Sequence, residues 1–382
     1  MEEIRFVRPE EFAAAVRLAD LVFRDDEHVS MGKAFPHVFS GALGQSFGYF
    51  VDGELVSFIG LVPSIVRIEQ AALDVYSVGA VCTSPDHRGK GYASAVLSAV
   101  LDHCRKAGAP LILISGQGGI YERAGSRPFG AAAQYTLDGV VARALADSDG
   151  DGKRWRVRPF APTDWFRIVR LARRRPVRFE HSLWDMACLI AAEPMASNSK
   201  LKHRVWVAEN DGDLAAFAVL GVQCPGKKSG RPMLIEWAGD PEAAIRLVAS
   251  GMLAEGLNEM DVTVPFHETG LRSVLDGAGC GARNVPLSGT AIIVDAAALI
   301  RQLAPYLERK DGERFRSMRF EPAAGGEIRI ALESGAAVMP PEQFVSLVFD
   351  PEPDLSLPEA MKRELAALFP VPFPSPSGLN FV

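Results

Sequence analysis

The chain has 382 residues, of which 48% are hydrophobic and 23% charged, enough apolar material for two or three domains, each with its own core. A formal net charge of −6 argues against a general nucleic-acid binder. The five cysteines stand singly, with no metal-ligand or disulfide spacing, the start is acidic, and no apolar run reaches membrane-spanning length, so the expectation is a cytoplasmic protein with no metal and no membrane partner.

Ile4–Val7 reads as a strand, and Pro9 opens a helix with Phe12, Val16, Ala19 and Phe23 on one face. Asp25, Asp26 and Glu27 follow in a polar loop. They are candidates to line a site for a cationic amine, with a solvated helix end as the plainer alternative. Phe47–Val51 and Leu55–Val62 flank Asp52-Gly53, a hairpin signal, and Ser64–Ile68 is a further strand.

The run Val75–Val81 is a β-branched, buried strand that Thr83-Ser84-Pro85-Asp86 ends. Arg88-Gly89-Lys90-Gly91 then leads into a helix from Ala93 to Ala107, with Ala93, Val96, Leu97 and Val100 along one face. A strand, a glycine-bearing turn and a helix in that order aim unpaired N–H groups at one point, which suits a phosphate or pyrophosphate. The glycines admit close approach, and Arg88 and Lys90 add charge. Gly108 stops the helix, and Leu111–Ser115 is a second buried strand, parallel to the first. Gly116-Gln117-Gly118-Gly119 follows at the same edge, then a short helical turn through Tyr121.

Residues 144–154 are a polar, glycine-rich linker. Beyond Trp155 the chain starts again: Val157-Arg158-Pro159 echoes Val7-Arg8-Pro9, and Val205–Glu209 with Leu214–Val222 repeats the earlier hairpin. Met233–Ala238 takes the place of the central strand, but the turn after it is Gly239-Asp240-Pro241-Glu242, whose acids would repel a pyrophosphate. Ala296–Glu308 reads as a helix, Phe315–Phe320 with Glu327–Leu332 as a hairpin, and Pro341–Phe349 and Pro358–Leu368 as helices. A proline-rich tail ends in Leu379, Phe381 and Val382. The division is 1–145, 155–295 and 296–382.

Acyl transfer from a thioester to an amine needs an anchored donor, N–H groups for the carbonyl oxygen, a base for the amine and an acid for the leaving thiolate. Gly89–Ser94 provide the anchor and Val81-Cys82-Thr83 the donors. Tyr121 is placed to act as the acid. No histidine stands in an obvious position for the base.

The R-x-x-G-x-A pattern of Arg88, Gly91 and Ala93 after a buried strand resembles the GNAT superfamily of acyl-CoA-dependent N-acyltransferases. G-Q-G-G-I-Y-E-R-A-G over Gly116–Gly125 is similar to its enhanced-intracellular-survival (Eis) subgroup. That resemblance implies an α/β (α+β) architecture of tandem GNAT-like domains, each a mixed central sheet flanked by helices. A small sterol-carrier-like C-terminal domain follows. It also implies acetyl-CoA contacts at Val81, Cys82 and Thr83, at Arg88, Gly89, Lys90, Gly91, Tyr92, Ala93 and Ser94, and at Gly116 and Gln117. Tyr121 would be the general acid and the C-terminal carboxylate, here that of Val382, the general base. Subgroup members end in an aromatic residue, whereas Phe381 is penultimate here. The expected activity is acetyl transfer to a primary amine of a small molecule or peptide. The alternatives are a non-catalytic acyl-CoA sensor and an oligomeric scaffold, and self-association is left open.

Overall fold

The computed structural model describes residues 1–116, 118–147, 155–224, 226, 228–324 and 327–382. Gln117 and most of the stretch read as a linker, residues 148–154, lie outside them.

The first strands are β1 (Glu2–Phe6), β2 (Phe47–Val51), β3 (Glu54–Ile68), β4 (Ala71–Thr83) and β5 (Leu111–Ile114), followed by β6 (Ala132–Asp138), β7 (Arg156–Pro159) and β8 (Val177–Phe179). Next come β9 (Leu201–Asn210), β10 (Asp213–Gln223), β11 (Met233–Gly239), β12 (Glu259–Pro265), β13 (Ala282–Val285) and β14 (Thr290–Ile293). β15 (Arg319–Pro322), β16 (Ile328–Leu332) and β17 (Gly335–Met339) close the series and form a small antiparallel sheet.

The first large sheet runs β1-β2-β3-β4-β5-β14, with β8 pairing to β3. The second runs β13-β6-β12-β11-β10-β9-β7. Each is antiparallel except for one parallel pair, β4 with β5 and β11 with β12, the pair a crossover helix permits. The two sheets exchange a strand. β6 follows β5 in the chain yet pairs with β12, and β14 follows β12 in the chain's second half yet pairs with β5. A cut at residues 145–155 therefore does not separate the sheets.

Both halves are built on the same local devices. Asp52-Gly53 and Asp211-Gly212 turn the β2–β3 and β9–β10 hairpins with positive φ at both residues, the I′ geometry that matches strand twist. Arg5 holds Glu11 through two 2.8 Å bonds, and Arg158 holds the fully buried Asp164 at 2.7 and 2.9 Å. This equivalence sets the internal register: Arg5 corresponds to Arg158, so the Val-Arg-Pro echo in the sequence is three residues out.

The helix Ala296–Ser317 presses Leu299, Leu303 and Leu307 onto Val66, Leu73 and Leu111 of the first sheet, joining the C-terminal unit to it. From Phe369 the tail threads three cores in succession. Phe373 packs among Phe129, Phe179 and Phe349, Leu379 among Ile168, Phe217 and Ile235, and Phe381 and Val382 beside Phe35, Val38 and Phe58. No helix among the described residues is long and apolar enough to cross a membrane.

Candidate active site

β4 and β5 pair only from Val75 with Leu111 to Val78 with Ile114. Beyond Val78 the side of β4 that faced β5 has no strand partner among the described residues. A bulge adds to the divergence: Phe58 faces Cys82 and Gly60 faces Gly79, so Ala80 and Val81 oppose one residue of β3, and Ala80 takes a φ of 51°. Val81, Cys82 and Thr83 thus lie on a free strand edge, with the Thr83 hydroxyl 2.8 Å from Ser57 Oγ. Burial pushes the Cys82 thiol up to about 12, so it stays protonated and is no acyl-accepting thiolate.

Past the edge, Gly89 and Gly91 adopt φ of 76° and 83°, which side chains rarely tolerate, and no atom lies within 4 Å of a carbon added at either. Gly91 caps the helix Tyr92–Lys106. The first N–H bonded within it is that of Ala95, to Gly91 O at 3.1 Å, and the N–H groups from Gly89 to Ser94 have no partner among the described residues. This open cradle with Arg88 and Lys90 beside it fits the diphosphate of an acyl-CoA. The Tyr92 ring is otherwise engaged, stacked on Tyr49 with both hydroxyls donating to Glu2 at 2.7 Å, so Tyr92 offers the cradle only its main chain.

The tail ends inside the splay. Ser115 Oγ donates to the Val382 carboxyl, and a methyl group on Gly79 would lie 3.0 Å from the Val382 carboxyl carbon. A methyl group on Gly116 would be 3.5 Å from the Tyr121 ring and 3.7 Å from its hydroxyl oxygen. Tyr121 is 7% exposed, and burial pushes its phenol up to about 12. Tyr121, Ser115, Gly116, Val81 and Val382 line one cavity of about 370 Å³.

Asp25, Asp26 and Glu27 do not line that cavity. Lys200 Nζ holds Asp25 and Glu27 at 2.8 Å each, tying the loop to the second half, and Asp26 is exposed. The electrostatic reason is plain: a lysine 173 residues from Glu27 draws the acids outward. The same loop contributes Arg24 and His28 to the lining, neither of which was singled out in the sequence. The His28 Nδ1 sits 2.7 Å from Asp25 Oδ1. His103 is half-buried against Phe6 and Phe47.

A parallel pair that splays beside a bulge, with a glycine cradle at the head of the crossover helix, is the arrangement the resemblance to acyl-CoA-dependent transferases implies. Residues 3–129 match the acetyltransferase (GNAT) domain family. That match makes the first third of the chain a GNAT acetyltransferase domain, and the solved structures similar to the chain show the fold of the rest. Its whole length aligns with Eis1 from Mycobacterium abscessus, at 13% identity and a TM-score of 0.64, covering 98% of this chain and 100% of that one. A GCN5-related N-acetyltransferase from Kribbella flavida is similar at 14% identity and a TM-score of 0.64, covering 100% and 98%. A probable N-acyltransferase from Enterococcus faecalis, at 14% identity and 0.61, covers 89% and 85%. No curated protein matches the chain.

Proposed function

We propose that this enzyme transfers the acetyl group of acetyl-CoA to a primary amine by direct attack, with the Val382 carboxylate as base and Tyr121 as acid. The observation that carries the reading is the seating of the terminal carboxyl between Gly79 and Ser115, in the same cavity as the Tyr121 hydroxyl. Acetyl-CoA supplies the thioester. The cradle from Gly89 to Ser94 binds its diphosphate, Gly116 flanks its thiol end, and the free edge at Val81–Thr83 offers N–H groups to the carbonyl oxygen.

The amine nitrogen forms the new C–N bond as the C–S bond breaks. An α-carboxylate is ordinarily ionised at neutral pH, so Val382 takes the proton that the amine loses. Tyr121, held neutral by burial, gives its proton to the departing sulfur, and the two residues re-exchange protons with solvent. The first sheet, completed by β14, would form the catalytic domain, the second, which takes β6, a copy without donor binding, and residues 296–382 a sterol-carrier-like unit that delivers the tail. The free cysteines suit a reducing cytoplasm.

His28 lines the same cavity and is the competing base. Thiol release from acetyl-CoA with a panel of amines, comparing the parent, a chain extended by a few residues after Val382, and His28→Gln, decides between them. The proposal expects the extension to abolish transfer and His28→Gln to retain it. The reverse result replaces Val382 with His28, and parental turnover by the extended chain removes Val382 from the mechanism. Tyr121→Phe should lower kcat by roughly 10²–10⁴-fold with unchanged acetyl-CoA affinity. A fall confined to KM would assign it to binding.

A further inference from the structure

The cavity that holds the Val382 carboxylate is also lined by Phe23, Met31 and Phe35 and carries one guanidinium, that of Arg24. Its carbon lies 5.6 Å from the Phe35 ring centroid, and Phe35 in turn packs against Phe381 at 6.3 Å. The two Arg24 Nη groups make only long bonds to Ser197, 3.2 Å to Oγ and 3.5 Å to the carbonyl oxygen. Nε is buried with no partner, and no carboxylate among the described residues lies within ion-pair distance. The nearest acids are spoken for: Asp20 accepts from Ser30 Oγ at 2.7 Å and from the Met31 N–H at 2.6 Å, and Asp25 is held by Lys200 and His28.

An arginine cannot escape burial by giving up its proton. A half-buried guanidinium with spare donors is costly to keep: burial disfavours its charged form, and Asp20 and Asp25 favour it only from beyond ion-pair distance. An anion brought to it would relieve that cost through charge-assisted bonds. We infer that Arg24 selects the acceptor, and that the acceptor is an amine carrying an anionic group, a carboxylate or a phosphonate, on an apolar spacer. This rests on the acetyl-transfer reading above. The amine lies toward Val382 and Tyr121, the spacer along Phe35 and Phe381, and the anion on Arg24. Of the other titratable lining groups, Tyr121 and the Val382 carboxylate are given to the amine, and His28 is already engaged with Asp25. A polycation is disfavoured because its second charge would face Arg24.

The test measures kcat/KM for CoA release with ω-amino carboxylates of graded length, their carboxamides and the matching diamines. The inference expects the best carboxylate to exceed its own carboxamide by about 10- to 100-fold, with the diamine slowest. Arg24→Met should collapse that ratio towards one, and Arg24→Lys should restore part of it. A merely structural Arg24 would lower all acceptors together and preserve the ratio, which would overturn the inference, as would a carboxamide or diamine that matches the carboxylate. If no amine is acetylated, calorimetric binding of an N-acetylated ω-amino carboxylate to the CoA-saturated protein decides separately. Binding to the parent at least 10-fold tighter than to Arg24→Met, by the same charge-assisted contact, upholds the anion site while the transfer reading fails. Equal or absent binding overturns the site.

Discussion

The two strand–turn–helix units at the centres of the two sheets share a scaffold and differ at the helix start. In the first, Gly91 caps the helix Tyr92–Lys106 in a left-handed conformation and leaves the N–H groups from Gly89 to Ser94 open. In the second, Asp240 caps the helix Pro241–Ala254, its carboxylate accepting from the Ala243 N–H at 2.9 Å. Pro241 removes another donor, and the Asp240 N–H is bonded to Ala215 O at 2.9 Å. Gly239 is clamped too, since a methyl group there would meet that same oxygen at 2.1 Å. A helix start becomes an anion site only if nothing in the chain has already satisfied it. The tail reads the same difference. Gly378 runs against Glu236 and Ile235 beside β11, while only the last residues reach the first splay.

The strongest way to break the comparison is Gly91→Glu, which forces a side chain onto a φ of 83° and puts a carboxylate where the diphosphate belongs. Calorimetry should find acetyl-CoA binding lost with the fold retained, and parental affinity in this variant would remove the cradle. The parent should bind one equivalent, and a second would show that the Asp240 turn also takes the nucleotide. Next in size is Gly79→Ala. Its methyl group meets the Val382 carboxyl carbon at 3.0 Å, so the tail end must shift; kcat should fall by about 10-fold or more with CoA affinity unchanged. A pH profile sharpens the same site. Because the phenol is raised to about 12 and the acid must be protonated, activity should persist through the alkaline range and fall as pH rises toward that value, a limb absent in Tyr121→Phe. The smallest effect is Asp240→Ala, which removes only a cap: about 1 kcal/mol of stability by denaturant unfolding, and no new CoA binding.

Much of this was legible. Asp52-Gly53, the β-branched Val75–Val81 and the glycines of the cradle are local signals, and each fixes its own backbone. Strand β3 was read as two pieces because Pro63 looks like a break, yet it continues at a register position that β4 tolerates. The strand exchange left no mark, because Ala132–Asp138 and Thr290–Ile293 suit either sheet and nothing local says which edge each will meet. The lining of the cavity was hidden for the same reason. Arg24 is defined by Ser197 and the acids beside it by Lys200, contacts that span more than 170 residues of chain.

That exchange has a consequence for how the molecule comes to be. Until residues 290–293 arrive, Leu111–Ile114 is an outermost strand, wholly apolar and buried in the finished protein, with its outer hydrogen-bonding groups unpaired. Such edges invite association with other chains. The first sheet therefore cannot close on its own during synthesis, and its completion waits on contacts of long sequence separation, which are slow to form. The second half cannot be shed in evolution or by a truncating protease without exposing that strand. The second half thus supplies the first sheet's last staple.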